Sequence, residues 1–327
     1  MPSVDLGNES SGPKGRWLVT NESRAEVSQG VPYAEPVVEI AGAFVLAGVL
    51  WLVASHLNID VAGAPVVPWT KASNISVEWT VVGLLWLVAG VTGLRSLTVA
   101  AAIGASTTLL AVIDVIVTLG PFKGHLTFTS GVDLTAAAFI IAIAASGWLL
   151  VLSHPLRSLT RQGLITALVF AVPALIWAVA YGPSWLTYNY SVVGGKFTAT
   201  GTNHLIQTSG NIFSSGVFSE VLGIALCITP LVLIGWASLW RRSSERLAVV
   251  AVCGLFIASV AGDNFWDTGT ITRSQLPKWW GWAHQGHISY VATAWLWASL
   301  CAGLALCLGS LVAASWARAN SNEVTLT

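Results

Sequence analysis

Charge is what this chain has least of. Only 9% of its 327 residues are Asp, Glu, Lys or Arg, against about a quarter in an ordinary soluble domain. Hydrophobic residues make up 54%. A water-soluble chain of this length needs far more polar surface to cover its core, so that class is excluded. Positive charge has no excess either, with 15 basic residues against 15 acidic ones. Nucleic-acid partners need a basic stripe, and none exists. Cysteine is scarce: Cys227, Cys253, Cys301 and Cys307 all lie in apolar runs and form no CxxC pair. They read as reduced, buried small hydrophobes. Residues 1–36 are polar and lack the basic start and apolar centre of a signal peptide. They read as a disordered cytoplasmic tail. Also missing is the period-2 alternation of a membrane β-barrel.

Long apolar runs are what remains. They fall near 37–56, 76–94, 97–119, 132–153, 163–182, 216–240, 246–262 and 288–315. Inside a bilayer the backbone must satisfy its own hydrogen bonds, so apolar runs of about 20 residues predict helices. The fold class is therefore all-α, a polytopic transmembrane bundle of about eight spans over 37–316, with a short tail at 317–327. The seventh run is short for a full crossing.

An even number of spans places both termini on one side, and the basic residues can be tallied by side. The terminus side carries Lys14, Arg16, Arg24, Arg95, Arg157, Arg161, Arg241, Arg242, Arg246 and Arg318. The other side carries Lys71, Lys123, Lys196, Arg273 and Lys278. Ten against five makes both termini cytoplasmic and the protein a multi-pass component of the cell membrane. Trp51, Trp148, Trp185, Trp240, Trp279 and Trp316 fall near span ends, as interfacial anchors do. The outer loops are then 57–75, 120–131, 183–215 and 263–287. Within the third, Tyr188 to Thr200 around Gly194-Gly195 reads as a β-hairpin.

Ionisable groups inside a bilayer cost several kcal/mol, so each calls for a reason. Asp114 lies about five residues from the outer end of the third span, and Glu220 about one turn into the sixth. Either suits a general base. Glu78, Asp133 and Asp263 mark outer span ends, where helices commonly collect polar residues. His56 and Asp60 have the spacing of one helical face, as do His284 and His287 at the start of the last span. The cytoplasmic half holds little beyond Glu39, which argues against a channel or alternating-access path and for a site open to the outer side. The densest stretch runs from Asp263 and Asp267 to His284 and His287. Two carboxylates and two imidazoles at such spacings suit copper, zinc or iron, with an open position for chemistry. Local hydrogen bonding in an aromatic interfacial loop explains the same residues without a metal.

Asp263-x3-Asp267, followed by Pro277, a cluster of tryptophans and His284, resembles the C subunit of the copper membrane monooxygenases, the particulate methane and ammonia family. In that family an acid, a histidine four residues later and a second histidine opening the next helix form the site. The resemblance covers about 25 of 327 residues, and Asp267 stands where the family has its first histidine. It implies Asp263, His284 and His287 as copper ligands in an oxidoreductase subunit acting on a small apolar substrate, with other membrane subunits as partners. The pairing of Asp114 or Asp263 with His284 and His287 also resembles the membrane zinc amidases of the alkaline ceramidase type, which implies a lipid substrate. A third reading needs no chemistry: a structural or assembly subunit of a membrane complex.

Overall fold

A computed structural model describes residues 34–57, 59–61, 64–66, 76–119, 126–127, 130–153, 160–181, 186–192, 195–200, 216–240, 242–266, 269–271 and 286–324. The chain divides between Pro36 and Val37, and the bundle belongs to the part from Val37 onward. Eight helices are described: α1 (Ala34–Ala54), α2 (Ser76–Gly93), α3 (Leu97–Leu119), α4 (Ser130–Ser153), α5 (Arg161–Ala180), α6 (Gly216–Ala237), α7 (Ser243–Trp266) and α8 (Ala294–Val324). Six are long and apolar enough to cross a membrane, and α2 and α6 contribute shorter apolar stretches, Val77–Gly93 and Ile224–Ala237. An α-helical membrane bundle follows from these lengths and this composition.

The helices pack sequentially, α2 on α3, α3 on α4, α5 on α6 and α7 on α8, while α7 also packs on α2, α3, α5 and α6. The core lies along α7, where 72% of the apolar window is buried, against 28% in α5. The outward side of α5 presents Leu168, Val172, Leu175 and Val179 instead, the apolar surface a lipid-facing helix needs. The α7–α8 contact is built on glycine. A Cβ at Gly254 would meet the Cys307 backbone nitrogen at 2.5 Å, and one at Gly303 would meet the Ala258 nitrogen at 2.5 Å. Small residues spaced four apart let the two backbones touch, which replaces the hydrophobic drive that lipid does not provide.

Seven short strands lie in the connections: β1 (Ile59–Val61), β2 (Ala64–Val66), β3 (Leu126–Thr127), β4 (Leu186–Val192), β5 (Gly195–Thr200), β6 (Gly269–Ile271) and β7 (Gly286–Ala292). They pair as β2-β1-β3 and β5-β4-β7-β6. All fall in the connections after α1, α3, α5 and α7, so they gather at one end of the bundle, here the strand end. At the opposite, connector end the helices are joined through 94–96, 154–160 and 238–242. The hairpin expected around Gly194 is β4–β5, in register from Thr187↔Thr200 to Val192↔Gly195.

Several expectations need correction. The seventh span is not short, since α7 runs 24 residues, and it is the most buried of the six long apolar helices. Its polar end, through Asp263 and Asn264, stays helical because it packs inside the bundle. The last helix begins at Ala294 rather than 288, because Ile288, Tyr290 and Ala292 alternate along β7, which pairs with β4. His287 therefore sits on a strand rather than on a helical turn at the start of the last span, and His284 lies outside the described residues. His56 and Asp60 share no helical face, since α1 ends at Ala54 and Asp60 lies on β1. Of the expected interfacial tryptophans, Trp148 and Trp316 are 61% and 75% exposed, but Trp51 and Trp240 are core residues. Trp51 stacks on Trp79 at 4.6 Å and donates its indole N–H to the Trp79 carbonyl at 2.7 Å. Trp185 and Trp279 lie outside the described residues.

Candidate functional site

Three buried carboxyl groups meet at the strand end. Glu78 lies in the first turn of α2, Asp114 near the end of α3, and Asp263 in the last turn of α7. Their meeting follows from packing, because α7 lies against both α2 and α3.

The role of Asp263 is legible from its partners. One carboxylate oxygen accepts the Val77 N–H at 2.8 Å and the other accepts the Glu78 N–H at 3.1 Å. The first amides of a helix have no partner within it. A carboxylate placed there satisfies them and matches the positive end of the helix dipole. Asp263 is thus a cap for α2 supplied by another helix, 185 residues away in the chain. This serves the first amides of α2 where the helix passes from the exposed Val77 to the buried Glu78.

Glu78, with its amide held in this way, turns its side chain to Asp114, and the two carboxyls share a hydrogen bond. Such a bond carries a proton, because two bare carboxylates have no donor between them. Glu78 Oε1 is buried and has no hydrogen-bond partner among the described residues. Next to Asp263, Asn264 donates its amide to the Val260 carbonyl at 2.9 Å, while its Oδ1 is buried and equally unmet among those residues. Both unmet atoms are acceptors. Tyr181, at the end of α5, and Cys227, on α6, lie within electrostatic reach of one another, and Tyr181 is also within reach of Asp114 and Glu78. Five helices therefore contribute to the surroundings of the pair. Trp51 and Trp79 pack on the α1–α2 side.

Below the cluster two polar contacts tie α2, α3 and α4 together, while Thr107 Oγ1 is buried and unmet among the described residues. Trp86 donates to Thr108 Oγ1 at 3.1 Å, and Thr108 and Ser146 hydroxyls pair at 3.0 Å. Val249, Val250, Val252, Phe256 and Ile257 fill the middle of α7. The acid cluster is a feature of one end of the bundle.

Of the residues picked from sequence, Asp114 and Asp263 are brought together. Glu220 lies on α6 and His287 on β7 opposite Ser191, with the side chains of both outside the description. Asp267 and His284 lie outside the described residues. Among the described residues no group of three His, Cys, Asp or Glu side chains is arranged to hold a metal ion. The three acids do not supply one, since Asp263 spends an oxygen on each of two amides. All four cysteines are free, Cys227 and Cys253 buried, Cys307 half-buried and Cys301 exposed.

Sequence reasoning passed over Glu78 as an ordinary helix-end acid. It also counted Arg246 as a loop charge, whereas Arg246 and Glu245 lie in the first turn of α7 and are both 2% exposed. The connector half is therefore not empty of buried charge. Adjacent charges at the edge of an apolar run were the available signal. Comparisons with protein-family models, with curated proteins and with solved structures find no match.

Proposed function

We propose that this chain is a multi-pass protein of the cell membrane, with eight spans and both termini cytoplasmic, whose strand end faces outward. We propose further that its acid cluster is a one-sided proton-exchange site. Asp114 and Glu78 hold a proton between them, and Asp263 fixes Glu78 by holding its amide. A ligand entering from the outer side or the outer leaflet would place a basic or donor group against Glu78 Oε1 and exchange that proton. Pairing one proton donor with one acceptor is the arrangement general acid–base chemistry requires, with Asp114 as the base expected from sequence. The single observation that carries this reading is the buried hydrogen bond between Glu78 and Asp114, with a second Glu78 oxygen unmet among the described residues. The apolar middle of α7 supports exchange from one side rather than passage across.

Infrared spectroscopy of the purified chain tests it. A protonated-carboxyl band is expected in the wild type and is lost in both Asp114→Asn and Glu78→Gln. A wild type without that band, or a band unchanged in both variants, would end the proposal.

The metal reading remains a second proposal. Strand β7 carries His287 at the same end of the bundle as Asp263, and the chain from Asp267 to His284 connects the two. Copper, with zinc as its alternative, would be held there by His284 and His287, and Asp263 would serve less well because its oxygens cap α2. The substrate class would be small and apolar for copper, or a lipid amide for zinc. Elemental analysis of the purified protein separates these from the reading as a non-catalytic subunit.

A further inference from the structure

We propose that the connector end binds the phosphate of an anionic phospholipid headgroup at Arg246, between the N-termini of α5 and α7. Arg246 Nη1 donates to the Trp240 carbonyl at 3.0 Å and to Thr160 Oγ1 at 3.2 Å. Thr160 is the N-cap of α5 and accepts the Gly163 N–H at 3.0 Å. Arg246 itself lies three residues after the first residue of α7, Ser243. The guanidinium thus sits at the positive ends of two helices, where a cation is disfavoured and an anion is stabilised.

Two donors on this hydrogen-bonded pair of residues are unmet. Arg246 Nε and Trp240 Nε1 are both buried and lack a partner among the described residues. Neither can accept a hydrogen bond, so any group that completes either must be an acceptor. The charge balance narrows it further. Arg161 and Arg242 stand exposed at the rim, while the acidic group in electrostatic reach of Arg246 is Glu245. One carboxylate against three guanidiniums and two helix N-termini leaves the place positive. A phosphate diester offers the charge and several acceptor oxygens together. Trp236, half-buried and edge-on to Trp240 at 4.7 Å, gives the place an apolar wall. A headgroup whose acyl chains lie along the bundle would meet that wall from the bilayer, and in the proposed orientation this end borders the cytoplasmic leaflet, where anionic lipids and basic pockets meet. The inference stands on residues of the connector end alone and does not depend on the acid cluster.

The test uses the full chain purified in neutral detergent. It is titrated separately with phosphatidylglycerol, phosphatidylcholine and inorganic phosphate, with bound lipid followed by native mass spectrometry and the thermal midpoint recorded in parallel. Phosphatidylglycerol is expected to bind and raise the midpoint by about 3 °C, and phosphatidylcholine to do neither. Trp240→Phe keeps a smaller aromatic ring and removes one donor, so phosphatidylglycerol binding should weaken about tenfold. Arg246→Gln should abolish it, and Arg161→Gln with Arg242→Gln should reduce it less. If inorganic phosphate matches phosphatidylglycerol and competes with it, the phosphate site stands and its source is soluble. Equal effects of phosphatidylcholine and phosphatidylglycerol overturn the proposal. So does binding undiminished in Trp240→Phe, which leaves Arg246 in place and is read if Arg246→Gln fails to fold.

Discussion

The two ends of α7 bury charge in opposite ways. At its C-terminal end Asp263 meets the N-terminus of α2, a negative group against a positive helix end, and each oxygen takes one amide. At its N-terminal end Arg246 meets the N-termini of α5 and α7, a positive group against positive helix ends, and Nε is left unmet among the described residues. The first arrangement is complete within the chain. The second is complementary to something negative from outside it. Burial alone does not separate them, because Asp263 and Arg246 are each 2% exposed. The sign of the charge relative to the nearest helix ends does.

Breaking the shared helix should damage both ends at once. Gly303→Val places side-chain atoms where the Ala258 backbone already lies. Overpacking of this kind costs about 3 kcal/mol or more. Thermal unfolding in detergent should show a large loss or no folded protein, and a wild-type midpoint would mean that α7 and α8 are not in backbone contact.

The next largest effect belongs to the complete end. Asp263→Ala leaves two amides unserved, the buried one at Glu78 at about 1–3 kcal/mol. Asp263→Asn retains one acceptor and should recover part of that loss. If both variants unfold like the wild type, Asp263 does not cap α2.

The incomplete end should respond differently. Arg246→Met gives up its hydrogen bonds to the Trp240 carbonyl and Thr160 but removes a charge from the positive ends of two helices and keeps the apolar stem, so in lipid-free detergent it should cost less than Asp263→Ala. A loss as large as that of Asp263→Ala would erase the contrast between the ends. The smallest effect is expected at Trp316, exposed on α8, where Trp316→Ala should lie within about 0.5 kcal/mol of the wild type. Orientation has its own check, which leaves stability unchanged. A cysteine at Thr198, in β5, should react with a membrane-impermeant reagent from outside intact cells, in a variant otherwise free of cysteine. Reaction only after lysis would place the acid cluster on the cytoplasmic side and the Arg246 site outside.

The sequence by itself determined the helices and the medium they suit. Apolar runs of this length in a chain with so little charge have no other way to satisfy their backbone, and Asp114 stood out because its run gave no local reason for a carboxylate. The β4–β5 hairpin was equally legible, since its signal, alternating residues around Gly194-Gly195, is local. Tertiary structure decided the partners. Nothing near Asp263 in the chain indicates that it serves amides 185 and 186 residues away, or that Glu78 turns to Asp114. The spacing of His284 and His287 suggested a helix, but His287 lies on β7, and its pairing with β4 is made to residues far away in the chain that spacing does not reveal. Trp51 and Trp240 read as anchors from their positions at span ends, and only helix packing buried them. The same holds for Arg246. Its charge suited an exposed loop, and its burial against Thr160 and Trp240 follows from where three helix ends happen to meet, which no stretch of sequence encodes locally.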